Sequence, residues 1–210
     1  MLTTPSYYTG RHSPRASAAR DVTVGIGAAV CEEAQVQGTV SFGSQAIAHP
    51  LAAVLAVAAP VVIGDRTIIE DAARIEHADP EELQRNSAVV MHIGSDNLLE
   101  SGCIVRSTSV GNGNWFEPKA ETRAGSRIGN NCLIGSGVVV ERGEIVPDNT
   151  VLVCVRDAAG RARRIVRPQK QHLLRAREAL TQRYLDTFLD AKSPQALAKT
   201  HRLVPVVQRP

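Results

Sequence analysis

The chain has 210 residues, 43% of them hydrophobic and 21% charged, with a formal net charge of +3. That length and apolar share exclude global disorder and fit one domain with its own core. The longest apolar stretch, Leu51 to Ile63, is too short to span a bilayer and is interrupted by Pro60.

With three Phe, three Tyr and one Trp in the whole chain, the core has few large rings. It is expected to be narrow and filled by aliphatic and small side chains. Residues 1–21 lack the apolar run of a secretory signal. Their Arg and Ser faintly resemble a transit peptide, but Pro5 and Pro14 oppose the amphipathic helix that one needs, so the segment reads as a disordered tail. Cys31, Cys103, Cys132 and Cys154 form no CxxC pair, which speaks against a zinc knuckle or disulfide framework and fits a reducing cytosol.

From Val24 an apolar residue recurs every six positions: Val24, Val30, Val36, Phe42, Ala48 and Val54. The register skips three residues and resumes at Ile63, Ile69 and Ile75. It breaks for a polar segment and returns at Ile93, Leu99 and Val105. One residue is then dropped, and the step runs through Val110, Phe116, Thr122, Ile128, Ile134, Val140, Val146 and Leu152. Of these lead positions only Ala48 and Thr122 are not Val, Ile, Leu or Phe. Four residues after most leads lies a small or β-branched side chain, with Asn97, Asn114 and Glu144 as exceptions. Apolar-x-x-x-small-x is the hexapeptide signature of a parallel β-helix, with the lead inside and the small residue at a tight corner.

Glycine gives the larger period. Gly25, Gly43, Gly64, Gly94, Gly111 and Gly129 each follow a lead, spaced by 18, 21, 30, 17 and 18 residues. Three hexads make eighteen, so each coil is predicted to be a triangle of three short strands. The extra three residues predict a widened corner near Ala58–Pro60, and the extra twelve a loop ejected within 76–92. An antiparallel sandwich also alternates apolar residues, but it has no reason to keep a six-residue step. The expected fold is therefore an all-β solenoid of about seven triangular coils over 22–155. At ~4.8 Å per strand it is roughly 30 Å long. Its left-handed sense is taken from families that share the hexapeptide pattern.

After Leu152 the period changes. Residues 153–166 read as two short strands around Gly160. Pro168 is predicted in the first turn of an amphipathic helix of about six turns. Leu173, Leu174, Leu180, Tyr184, Leu185, Phe188 and Leu189 give that helix its apolar stripe. Residues 156–192 form the expected basic hairpin and helix, packed along one face of the solenoid, and 193–210 a tail.

Three kinds of function occur on such coils: acyl transfer, metal-dependent chemistry of the gamma carbonic anhydrase type, and assembly without catalysis. The fold alone does not choose. A catalytic zinc needs three ligands and an open position. His77 lies near the first ligand place, but Ser101 and Arg106 occupy the other two, and Arg106 repels a cation. His92 lies across the neck of the ejected loop. Acyl transfer needs a histidine base; His49, His77 and His92 are the candidates, and His49, in Ala48-His49-Pro50, is expected as a solvated corner residue. No catalytic, cofactor-binding or metal-binding residue is assigned.

The segment 156–177 carries eight Lys or Arg against Asp157 alone. Without stacking aromatics or a reading motif it does not predict nucleic-acid binding. It reads as a solvated face, with phosphate-like or acidic-protein contact as the sharper reading. Ser13 and Ser193 precede prolines and are candidate phosphorylation sites.

The segments 24–54, 61–75, 93–103, 128–137 and 144–152, with Arg167-Pro168-Gln169 before the terminal helix, resemble the dynactin subunit 6 family. His49-Pro50 after a lead and the turn Pro147-Asp148-Asn149-Thr150 are the specific items. The chain departs from that pattern at Gln37 and Thr39 and in its longer N-terminal tail. The resemblance implies a non-catalytic scaffold of the dynactin pointed-end complex, cytoplasmic and cytoskeleton-associated, with no cofactor. It implies dynactin subunit 5, dynactin subunit 4 and the pointed-end actin-related protein as partners, and dynein and cargo indirectly. Direct membrane insertion is not expected. A hexapeptide-repeat enzyme, acyltransferase or gamma carbonic anhydrase-like, is the alternative.

Overall fold

Six residues make one short strand and one corner, and three such units return the chain to a point one strand spacing further on. A computed structural model of the chain describes residues 21–78 and 89–189 and shows this winding. The expectations for residues 1–20 and 190–210, including Ser13 and Ser193, lie outside the described residues.

The first wall stacks β1 (Asp21–Val24), β4 (Thr39–Phe42), β7 (Val61–Ile63), β10 (Met91–Ile93), β13 (Ser109–Val110), β16 (Arg127–Ile128) and β19 (Ile145–Val146). The second stacks β2 (Ala29–Val30), β5 (Ile47–Ala48), β8 (Ile68–Ile69), β11 (Leu98–Leu99), β14 (Trp115–Phe116), β17 (Leu133–Ile134), β20 (Thr150–Arg156) and β21 (Ala162–Pro168). The third stacks β3 (Gln35–Gln37), β6 (Ala53–Ala56), β9 (Arg74–His77), β12 (Ile104–Val105), β15 (Glu121–Thr122) and β18 (Val139–Val140). Every pairing is parallel except β20 with β21. The register places lead on lead: Ile63 beside Ile93, Leu99 beside Phe116, Val105 beside Thr122.

The apolar leads from Phe42 onward fill one continuous interior. A triangular coil holds three lead side chains, so their volumes are coupled. The two coils that carry a Phe each carry one of the two small leads: Phe42 with Ala48, and Phe116 with Thr122. Thr122 has a second task. The dropped residue shortens the corner after Val105, and the buried Thr122 Oγ1 accepts the Arg106 and Ser107 N–H groups there, at 3.1 and 3.2 Å.

Two of the three exceptions at the small position have a clear role. Asn97 and Asn114 are fully buried. Asn97 Nδ2 donates to the carbonyls of Gly94 and Gly111, and its Oδ1 accepts the Asn114 N–H. Asn114 Oδ1 accepts the Cys132 N–H at 2.7 Å. Two interior asparagines thus tie three coils together, satisfying backbone groups that a small side chain leaves to the turn.

The glycine column marks a close approach. A Cβ on Gly64 falls 2.5 Å from the Gly94 carbonyl carbon and 2.6 Å from the Ser95 N. The next residue on each coil then forms a polar ladder. Ser44 N donates to Asp65 Oδ1, Asp65 N to Ser95 Oγ, Ser95 N to Asn112 Oδ1, Asn112 N to Asn130 Oδ1, and Asn130 N to Asp148 Oδ1.

Residues 57–60 form the widened corner, where Val57 and Ala58 both donate to the His77 carbonyl. The chain leaves the third wall after His77 and rejoins the first at Met91. This neck is two residues narrower at the N-terminal side than 76–92 suggests, because Glu76 and His77 still pair with Leu55 and Ala56. It is also narrower at the C-terminal side, because Met91 and His92 already pair with Val61 and Val62.

Pro168 departs from the sequence reading. It ends β21 opposite Thr150 instead of opening the helix. There its missing N–H faces away from β20 and costs no ladder bond. The helix, α1 (Gln171–Leu189), has 19 residues, about five turns.

Candidate interaction surfaces

The outer faces of the three walls differ in chemistry, and that difference places the helix. On the second wall the residues before each lead are Ala29, Ile47, Ile68, Leu98, Trp115, Leu133 and Val151, all apolar. On the first they include Thr23, Ser41, His92, Ser109 and Arg127, and on the third Gln35, Arg74 and Glu121. α1 lies on the second wall, with Leu180, Tyr184 and Leu185 against Ile47, Ile68, Leu98 and Trp115. Arg177, 6% exposed, donates from Nη1 to the Asp96 carbonyl at 2.5 Å. Burial pulls its guanidinium below its ordinary pKa, with Glu178 and Asp96 opposing.

His49 is therefore not the solvated corner residue that the sequence suggests. It is 6% exposed, its ring edge-on to Tyr184 at 5.4 Å between centroids, with Nδ1 4.0 Å from Asp71. The returning helix covers it, an effect no local pattern around Ala48-His49-Pro50 reveals. Tyr184 donates its hydroxyl to Glu70 Oε1. Burial first, then that bond and the nearby carboxylates, raise the phenol's pKa.

One corner beside the helix carries a carboxylate on three successive coils, Glu70, Glu100 and Glu117. Glu70 accepts from Ser101 N and Oγ, and Glu117 from Ser136 N. Burial pushes the Glu100 pKa up, the neighbouring Trp115 opposes it, and the charges of Glu70 and Glu117 add to the rise. A raised folded pKa means that the ionised carboxylate opposes folding. That penalty is absent below the unfolded value of about 4.3 and present above it. Glu100→Gln is expected to raise the melting temperature at pH 7. The gain should shrink to nothing as the pH approaches 4, read by thermal unfolding across pH.

The third wall carries alternating charges. Arg74 Nε meets Glu76 Oε1 at 2.6 Å, Arg106 Nε meets Glu76 Oε2 at 2.7 Å, and Arg106 Nη1 meets Glu121 Oε1 at 2.9 Å. Burial raises the Glu76 pKa, but bonds and charges from Arg74 and Arg106 outweigh it and hold the carboxyl below its ordinary range. Arg106, at a place where a zinc site needs a ligand, thus bridges two carboxylates. Ser101 bonds Glu70, and buried His77 meets the Val89 carbonyl through Nε2 at 2.6 Å. His92 is exposed on β10 of the first wall. Among the described residues no group of three His, Cys, Asp or Glu side chains converges to hold a metal. Burial, then Glu33 and Asp71, push the Cys31 thiol up to about 11, so it is protonated at neutral pH. The described cysteines are all free thiols. No described helix is long and apolar enough to cross a membrane.

The two ends of the solenoid also differ. At the first coil Val24, Ala28, Val30, Ala34 and Val36 are only partly buried, and Ile26 is 77% exposed. At the last coil the β20–β21 hairpin crosses towards the third wall. There Arg164 Nη1 donates to the carbonyl of Val139 on the terminal strand β18 at 3.0 Å, and the same guanidinium pairs with Glu144 at 2.8 Å.

Stacked hexapeptide coils with a returning terminal helix define a hexapeptide-repeat solenoid protein, and the bacterial transferase hexapeptide family (six repeats) matches residues 107–142. Among solved structures, the chain superposes on a Bacillus cereus protein assigned as an acetyltransferase with a TM-score of 0.66 at 17% identity, covering 79% of this chain and 88% of that one. It superposes on a hexapeptide transferase family protein from Anaplasma phagocytophilum with a TM-score of 0.63 at 16% identity, covering 78% and 89%. At such identities the likeness shows the fold alone. Sequence relatives are more specific. The chain is 33% identical over 168 residues to dynactin subunit 6 of Danio rerio, covering 77% of this chain and 84% of that one. It is 33% identical over 159 residues to dynactin subunit 6 of Xenopus tropicalis, covering 73% and 77%. It is 34% identical over 138 residues to that of Nematostella vectensis, covering 63% and 74%. The chain belongs to the dynactin subunit 6 family.

Proposed function

We propose that the chain is a non-catalytic scaffold subunit of the dynactin pointed-end complex, working in the cytoplasm in dynein-driven transport along microtubules and cargo attachment. Its proposed neighbours are dynactin subunits 5 and 4 and the pointed-end actin-related protein. The family membership supports the complex. The observation that carries the scaffold reading is the first coil, whose three strands each leave one edge unpaired among the described residues and whose interior leads are only partly buried. Unpaired strand edges at a solenoid end are templates for association. That the helix covers His49 and that the Cys31 thiol is protonated support the non-catalytic reading.

Affinity-tagged protein in cell extract should capture the dynactin subunits. Val22→Glu with Ile26→Glu places two charges on the first coil at exposed positions. It is expected to lose the pointed-end subunits while the melting temperature stays within a few degrees. Undiminished capture by the folded variant overturns the placement of the interface. Turnover of acetyl-CoA by the purified chain overturns the non-catalytic reading.

A further inference from the structure

β21 ends the second wall, and among the described residues nothing pairs with its outer edge. The hydrogen-bonding direction of each residue follows from three bonds. Asp157 N donates to Arg161 O, Gln169 N donates to Asn149 O, and Gly135 N donates to Leu152 O on the opposite side. In an antiparallel pair, bonded and non-bonded residue pairs alternate. The pairs Val155–Arg163, Val153–Ile165 and Val151–Arg167 therefore bond within the hairpin. Ala162, Arg164 and Val166 turn their N–H and C=O groups outward, and Pro168 turns out its carbonyl. Pro168 falls where the alternation requires no inward N–H, which supports the assignment.

The edge is strongly basic. Arg161, Arg163, Arg164 and Arg167 lie on or beside it, with Asp157 as the one acid in the hairpin. Asp157 is occupied by Arg161 at 3.2 Å and Arg164 by Glu144. Arg163 and Arg167 are exposed, project from the same face with Ile165 between them, and meet no acid among the described residues. A second copy of this edge brings the same arginines and is repelled. The chain's own segments 1–20 and 190–210 carry net positive charge by sequence and fit no better.

We propose that the outer edge of β21 pairs with an extended acidic segment of a partner protein, which joins the second wall as its ninth strand. The outward N–H and C=O groups supply the ladder, and acidic side chains at alternate positions of the partner meet Arg163 and Arg167 across the strand pair. This surface lies at the end of the solenoid opposite the first coil and stands or falls independently of the dynactin reading.

The test uses the full chain and a fluorescein-labelled seven-residue peptide of alternating glutamate and valine, followed by fluorescence anisotropy. Saturable binding is expected. Val166→Pro removes an outward N–H and no hairpin bond, and should weaken binding about tenfold, the order of one strand hydrogen bond. Arg163→Glu with Arg167→Glu should abolish binding. Should Val166→Pro lower the melting temperature, a peptide with alternate backbone N-methyl groups asks the same question from the ligand side and should not bind the wild-type chain. Binding that survives both the proline and the N-methylation is electrostatic adhesion and overturns the proposal, as does no binding at all. Equal competition by polyuridylate or by phosphoinositide vesicles overturns it in favour of a general anion surface. Self-association that is lost on reversing the acids Glu81 and Glu82 overturns it in favour of a second copy.

Discussion

Replacing Phe116 by alanine should lower the melting temperature of the chain by about 6–20 °C. Phe116 is fully buried at the centre of the fifth coil, stacked between Leu99 and Ile134. A buried Phe→Ala change costs about 3–5 kcal/mol, from lost transfer energy and from the cavity left behind. For a domain of this size each kcal/mol moves the midpoint by about 2–4 °C. The upper part of the range is favoured here by the geometry. A triangular coil has no long side chain from another layer to slide into the void, because the coils above and below hold Leu99 and Ile134 in register by backbone bonds. Differential scanning calorimetry of the variant reads the effect. A second substitution isolates its cause: Thr122→Val in the F116A background supplies a methyl in the same coil and removes a hydroxyl that accepts two N–H groups. It should lower stability further, because the buried Ser107 N–H loses its acceptor, while the Arg106 N–H keeps the Thr122 carbonyl.

Gly64→Ala is expected to be as damaging as a cavity, from the opposite cause. The added methyl meets the backbone of the next coil at 2.5–2.6 Å, and no flexible side chain can yield alone. Two coils must separate locally, which strains the polar ladder through Asp65 and Ser95. The cost should reach the top of the about 1–3 kcal/mol that overpacking brings, or exceed it. Gly137→Ala provides the contrast. Its φ of +65° belongs to the left-handed region, but an added Cβ there meets nothing within 4 Å. That variant should lose only about 1–2 kcal/mol of conformational energy. Chemical denaturation of both proteins separates crowding from backbone strain, and equal losses contradict the close-approach account.

Much of this architecture is written in the chain because a solenoid repeats one local environment. The six-residue lead, the glycine column, the widened corner near Pro60 and the ejected segment before Met91 are each visible as steps or breaks in a period. What the period does not carry is anything set by the chain returning over itself. His49 looks solvated until α1 is laid on the second wall, and Pro168 looks like a helix start until Thr150 is placed opposite it. Asn97 and Asn114 look like defects in the small position until the neighbouring coil supplies their partners. One signal for the helix was present all the same. The apolar series Ile47, Ile68, Leu98, Trp115, Leu133 and Val151, one residue before each lead of the second wall, marks a face that has to be covered. Arg106, by contrast, was already legible as incompatible with a cation, and its two carboxylate partners lie one coil either side of it.

The neck between His77 and Met91 has a consequence for how such a chain can change over time. Val61 and Val62 hold Met91 and His92 in place whatever length of polypeptide lies between the two strands. The site therefore behaves as a splice point: residues can be gained or lost there without re-registering a single rung on either side. A reporter or an affinity handle inserted at this position leaves both ends of the rod, and the basic strand beyond its last turn, as they were.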